Sequence, residues 1–169
     1  MKHCFWYLIL CFSVGCSSTP IVVDLNEDHR ELEGRLSYVS QDGDNQIIGE
    51  GTYLVHISPT TQVGPIVGYT SQKVDGFSSD LFIGGLEIRE NLKTSAAIIP
   101  FVGANVSLIK ASNDDNDGLN GNAFQIFAGG RTPLSDSAFL VTKFAYSKVS
   151  AGGTDQDNIS TQVGLSVRY

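Results

Sequence analysis

The chain has 169 residues, a formal charge of −7 and only 17% charged residues, against about a quarter in typical soluble domains. That length suits one domain with a sizeable core, 41% hydrophobic content excludes a disordered chain, and the acidic balance argues against nucleic acid, which asks for clustered Lys and Arg. No run of 18 apolar residues occurs, which excludes a membrane-spanning helix but not a spanning barrel, whose strands are short and alternate.

All three cysteines, Cys4, Cys11 and Cys16, fall in the first sixteen residues. The body therefore has neither a disulfide framework nor a thiolate metal site. Residues 1–15 read as a signal peptide: Lys2 and His3 make a polar start, Cys4 to Val14 is apolar, and small Ser13 and Gly15 precede the cut. Ser13-Val14-Gly15-Cys16 resembles the lipobox of bacterial lipoproteins, with Ser13 where that family usually carries Leu. The resemblance implies lipidation at Cys16, and Ser17 behind it implies the outer membrane. Residues 16–30 are polar, with Pro20 and the acidic run Asp24 to Asp28, and read as a tether or a frayed arm.

From Glu31 onward the pattern has period 2 rather than 3.6. Strands are predicted near 31–40, 46–58, 63–72, 80–90, 95–109, 122–131, 137–148 and 159–169. Such lengths exceed the usual five or six residues and suit tilted strands crossing a bilayer, which need about 9–11. The connections alternate in character. Those at 41–45, 73–79, 110–121 and 149–158 are rich in Asp, Asn, Gly and Ser and read as longer polar loops. Those at 59–62, 91–94 and 132–136 read as tight turns. This asymmetry is expected of outer-membrane barrels.

Parity then separates two faces. Leu32, Leu36 and Tyr38 oppose Glu33, Arg35 and Ser37; Ile47, Tyr53, Val55 and Ile57 oppose Glu50, Thr52 and His56; Phe82, Leu86 and Ile88 oppose Glu87 and Arg89. Leu140, Phe144 and Tyr146 oppose Lys143, and Val163, Leu165, Val167 and Tyr169 oppose Gln162, Ser166 and Arg168. If the apolar face meets lipid, Glu33, Arg35, Glu50, Glu87, Arg89, Arg131, Lys143 and Arg168 line the interior and must pair. The inner glycines Gly64, Gly68, Gly85, Gly103, Gly129 and Gly164 would leave room for their stems. Leu54, Ile66, Leu81, Ile83, Ile99 and Phe101 share that parity and argue against a continuous water pore. The opposite reading is a lipid-anchored soluble β-barrel of lipocalin type, with Leu54, Ile66, Ile83 and Phe101 lining an apolar ligand cavity.

Three stretches resemble the small outer-membrane β-barrel proteins of Gram-negative bacteria, the porin-like and OmpA-type class. They are Ile99 to Ala104, the strand-turn-strand unit Ala128 to Asp136, and the final strand Ile159 to Tyr169 with its aromatic carboxy terminus. The resemblance implies a closed eight-stranded antiparallel up-and-down β-barrel over residues 31–169 that spans the bacterial outer membrane. It also implies reading of the terminal Tyr169 by the barrel-assembly machinery, and outer-membrane lipid and lipopolysaccharide as surroundings. Tyr38, Tyr53, Tyr69, Phe82, Phe144, Tyr146 and Tyr169 are candidates for interfacial girdles.

Little points to catalysis. His56-Ile57-Ser58 offers a His/Ser pair, but it sits beside the Pro59 turn and reads as a packed inward His. Asn113 to Gly118 has the first half of a calcium loop, yet position 12 is Phe124 in place of the bidentate Glu. No cofactor, metal or catalytic residue is expected. The function expected is a non-enzymatic barrel with a structural, adhesive or surface-interaction role through acidic extracellular loops.

Overall fold

A computed structural model describes residues 29–41, 44–74, 77–92, 97–113 and 120–169. The expected signal peptide, Cys16 and the expected tether as far as Asp28 lie outside the described residues. The strands are β1 (Arg30–Gln41), β2 (Asp44–His56), β3 (Thr61–Val74), β4 (Phe77–Asn91), β5 (Ile99–Asn113), β6 (Asn120–Pro133), β7 (Ala138–Ala151) and β8 (Thr154–Arg168). They pair in sequence order, all antiparallel, and β8 pairs back with β1 to close a barrel. Closure leaves no unpaired edge, the condition for a sheet in lipid. The seam is completed at the chain ends, where Arg30 N donates to Tyr169 O and Tyr169 N to Arg30 O.

All eight expected strands are present, but their ends differ from the sequence reading in one systematic way. Strand pairing continues to Gln41–Asp44, Val74–Phe77 and Ala151–Thr154. Most of 41–45, 73–79 and 149–158 is therefore hairpin ladder rather than loop, and 110–121 narrows to 114–119, outside the described residues. The other end of the barrel carries connections at 57–60, 92–98 and 134–137, each longer than the two-residue spacings at 42–43, 75–76 and 152–153, with only 114–119 exceeding the four-residue ones. The expected asymmetry lies in the polarity of the strand tips, not in longer loops. Polar residues signal loops in a soluble sheet, yet past the lipid a strand needs no apolar face to keep its ladder. Asp155 and Asp157 accordingly sit on β8, while Asp42, Asp75, Asp114, Asp115 and Asp117 lie outside the described residues. At the tip between β7 and β8, Gly152 and Gly153 both have positive φ, the pattern of a two-residue type I′ turn.

The expected inversion of faces holds. Leu32, Leu36, Ile47, Ile57, Phe82, Leu86, Ile88, Phe144, Tyr146, Val163, Leu165, Val167 and Tyr169 are exposed, while Glu33, Arg35, Glu87, Arg89, Arg131, Lys143 and Arg168 are buried. Such an exterior is far larger than the apolar patches that soluble monomers tolerate. It makes the wall membrane-spanning. Leu54, Ile66, Ile99 and Phe101 are buried inside, as their parity required. They share the interior with the charges, which overturns the soluble reading with an apolar cavity.

Pro65 marks the one irregularity in the β2–β3 pairing, which runs from Thr52–Ile66 to Val55–Val63 without the two intervening pairs. The proline offers no N–H there, near the 57–60 turn, where a lost ladder bond costs least.

Candidate functional site

The lumen between the two ends is filled by a charged network, and the strands dictate its form. A side-chain period of two places residues i and i+2 on one inner row. β1 carries Glu33 and Arg35, and β4 carries Glu87 and Arg89. The two strands run in opposite directions across the barrel, so one Glu-x-Arg meets the other head to tail. Arg35 donates to Glu33 at 2.7 Å and makes a two-pronged contact to Glu87 at 3.0 and 3.1 Å. Arg89 makes a two-pronged contact to Glu33 at 2.8 and 2.9 Å and a bond to Glu87 at 2.8 Å. The result is a closed ring of alternating charge. Thr52 at 2.9 Å and Glu50 at 3.3 Å accept the remaining N–H groups of Arg35. A guanidinium has five donors, and all five are used here. Lys143 on β7 joins from the far wall, donating to Gln125 at 3.1 Å and to Glu87 at 3.4 Å.

A second layer lies toward the chain termini. Glu31 accepts from Arg131 and from Ser166, the latter at 2.9 Å, and lies 3.6 Å from Arg168 Nε. His56 Nε2 is 3.3 Å from Glu31 Oε1 and 2.9 Å from Gln62 Nε2. Asn91 donates to Gln62 at 2.9 Å and accepts from Arg131 at 3.3 Å. His56 is thus the packed inward histidine expected, held among amides and a carboxylate.

The inner apolar residues have a partner role. Ile99, Phe101, Phe127, Phe139, Val141 and Ala145 cluster on the β5–β7 side. Arg89 lies 4.5 Å over the Phe101 ring, Arg131 4.3 Å over Phe139, and Lys143 4.1 Å over Phe127. These cations are sandwiched between carboxylates of β1 and β4 and aromatic faces of β5 to β7. A desolvated cation over a ring gains roughly 2 kcal/mol or more, which partly offsets the cost of burial. Two inner glycines serve these rings rather than the arginine stems: a Cβ on Gly103 would meet Phe127 at 2.4 Å, and one on Gly129 would meet Phe101 at 2.4 Å. Gly164 does make room for an arginine, since its Cβ would stand 2.8 Å from Arg35 Cγ.

Every interior charge expected from parity is in this network. Glu31 was the omission, although it shares the parity of Glu33 and Arg35. The readable signal for the pairing was the twin Glu-x-Arg of β1 and β4. Above the plug, toward the hairpin tips, Ile83, Gly85, Ala123 and Ser147 are half-buried, while Thr70, Ser107, Ile109 and Ser160 are buried. Phe124, the residue at the calcium-loop position 12, faces outward on the wall. Among the described residues no cluster of three metal-ligating side chains occurs.

Outside the apolar belt, Asp155 at the β7–β8 tip accepts from Ser150 at 2.6 Å and pairs with Lys148 at 3.0 Å. The Ser150 hydroxyl first, and then the Lys148 ammonium, hold its carboxyl below the usual aspartate range.

The fold and the inverted wall define a transmembrane β-barrel of the kind found in bacterial outer membranes. No family model matches the chain and no curated protein matches its sequence. Solved structures do. The Neisserial surface protein A aligns at TM-score 0.65 and 14% identity over 83% of this chain and 94% of its own. The N-terminal β-barrel domain of Pseudomonas aeruginosa OprF aligns at 0.60 and 13% over 85% and 98%. Ail, the attachment invasion locus protein of Yersinia pestis, aligns at 0.50 and 13% over 85% and 100%. At such identities the likeness is one of fold.

Proposed function

We propose that this chain is a non-enzymatic outer-membrane barrel whose work is done at its hairpin tips, in surface contact or adhesion, and not by passage through its lumen. The observation that carries this is the filled interior. Arg35 is locked among carboxylates, and Arg89, Arg131 and Lys143 between carboxylates and rings, so a plug of salt bridges closes the lumen. The polar hairpin tips, with Asp155, Asp157, Lys148 and Asn120 exposed, are left to meet partners. An attachment protein among the fold's neighbours adds support of the same kind. In this reading residues 1–15 are the export signal, 16–30 a tether lipidated at Cys16, and Tyr169 the residue read during barrel assembly. Lipopolysaccharide surrounds the outer half of the wall.

The test begins with extraction. Cys16→Ser protein should still require detergent and show heat-modifiable gel mobility. A cysteine in place of Gly153 should react with an impermeant maleimide on intact cells, and one in place of Ser135 only after the outer membrane is opened. Attachment of producing cells to immobilised basic proteins should fall in Asp155→Asn/Asp157→Asn. Release of Cys16→Ser protein into the aqueous fraction would overturn the spanning reading. Unchanged attachment would overturn the surface role.

A further inference from the structure

The lipid-facing wall is not smooth. Across the β1–β8 seam and over β2 and β3 runs a furrow of ≈ 950 Å³. Its floor is made by outward-facing glycines: Gly34 pairs with Gly51 across β1 and β2, and Gly49 lies next to Leu36. Leu32, Leu36, Val67 and Leu165 form its sides. These glycines are not required by the barrel. A Cβ on Gly34 would meet nothing within 4 Å, and one on Gly51 would touch Val67 Cγ2 at an ordinary 3.7 Å. The furrow is also directional. Toward the hairpin tips Tyr69 and Phe82 close it, their rings 5.1 Å apart and Tyr69 anchored on Asp80 at 3.0 Å. Toward the termini its lining reaches the paired Leu32 and Val167, Leu32 standing two residues from Arg30, where the strand that carries the N-terminal segment begins.

We infer that this furrow seats a fatty-acyl chain carried by Cys16 of the same molecule. The inference rests on the lipidation proposed above. Cys16 stands 14 residues before Arg30, a span of at most about 50 Å when extended. A chain attached there lies in the leaflet nearest the termini, with the open end of the furrow within its reach. Such tethering gives an effective concentration of roughly millimolar order. In a bilayer there is no hydrophobic drive to leave other lipid, so selection must come from close packing, which is what small residues allow. Glycines on the seam supply that packing for a thin, flexible methylene chain, and the aromatic pair sets how deep it runs.

Cells fed a diazirine-bearing palmitate supply the probe. After irradiation, the barrel is purified and searched for joined peptides in which the Cys16 fragment is linked to a strand fragment. Joined peptides are expected from β1, β2 and β8 and should be lost in Gly34→Leu/Gly51→Leu, which keeps heat-modifiable mobility and the lipid mass on Cys16. Cys16→Ser separates crosslinks made by free bilayer lipid, which persist in it. Lipid on Cys16 with joined peptides spread evenly around the eight strands, absent, or unchanged in the double variant would overturn the seating. No lipid mass on Cys16 would overturn the lipidation reading and the seating with it.

Discussion

Glu87→Gln is the sharpest probe of the plug. The carboxylate accepts two bonds from Arg35, one from Arg89 at 2.8 Å and one from Lys143 at 3.4 Å. The amide keeps the shape, removes the charge and turns an N–H₂ toward guanidinium donors. Arg35, Arg89 and Lys143 then share the remaining carboxylates of Glu33 and Glu50. Removing one partner of a buried ion pair costs about 3–5 kcal/mol, or about two to three and a half decades in the folded-to-unfolded ratio. The Lys148–Asp155 pair, with side chains 51% and 59% exposed, is the internal control, and breaking it should leave the midpoint nearly unchanged, because solvent screens the pair. The assay is urea unfolding of the refolded barrel in vesicles, followed by far-UV circular dichroism and the folded-band mobility. Tryptophan fluorescence is no help, because the sole tryptophan is Trp6, far from the barrel in the sequence. The midpoint should fall with the slope unchanged. A loss below about 1 kcal/mol, the ordinary range of solvent-exposed pairs, would mean that water reaches the ring and that the plug is not a dry network.

Three further outcomes follow from the same geometry. Gly164→Ala should destabilise the barrel by about 1–3 kcal/mol, since the new Cβ would stand 2.2 Å from Gly34 O; Gly34→Ala, with open space around it, should be neutral or gain up to about 1 kcal/mol, and side-by-side unfolding compares them. Leu86→Arg places a cation on the lipid-facing wall and should cost about 2–4 kcal/mol if its site is near the midplane, measured as folding yield into vesicles against Leu86→Ala. Asp155 should titrate below the usual aspartate range, and its midpoint should rise in Ser150→Ala, read by carboxyl NMR. Because its folded value is depressed, the stabilisation it provides is present above the unfolded aspartate value and fades as pH falls through the folded one.

The architecture was legible because a strand in lipid has a strict period of two with an inverted sense. Leu32-Glu33-Gly34-Arg35-Leu36 separates the two faces, strand length tilts the apolar one toward lipid, and the closed wall then follows from the need to satisfy every backbone group. The ends of the strands were not legible. Asp155 and Asp157 looked like loop residues because polarity was read as irregularity, whereas beyond the bilayer a hairpin can be wholly polar and remain paired. The charged interior was legible as composition but not as contacts. Parity says that Arg35 and Glu87 both point inward; only the stagger of β1 against β4 says that they touch. The apolar inner residues were harder still. Phe101 and Phe139 contradict a polar lumen until they are seen as the faces on which Arg89, Arg131 and Arg168 rest.

The twin Glu-x-Arg of β1 and β4 works like the wards of a lock. Read in opposite directions, the two triplets match at one setting only. Sliding either strand by two residues would bring carboxylate against carboxylate or guanidinium against guanidinium, with a dry interior to amplify the repulsion. The pairing of charges in the finished barrel is thereby tied to a single stagger of β1 against β4.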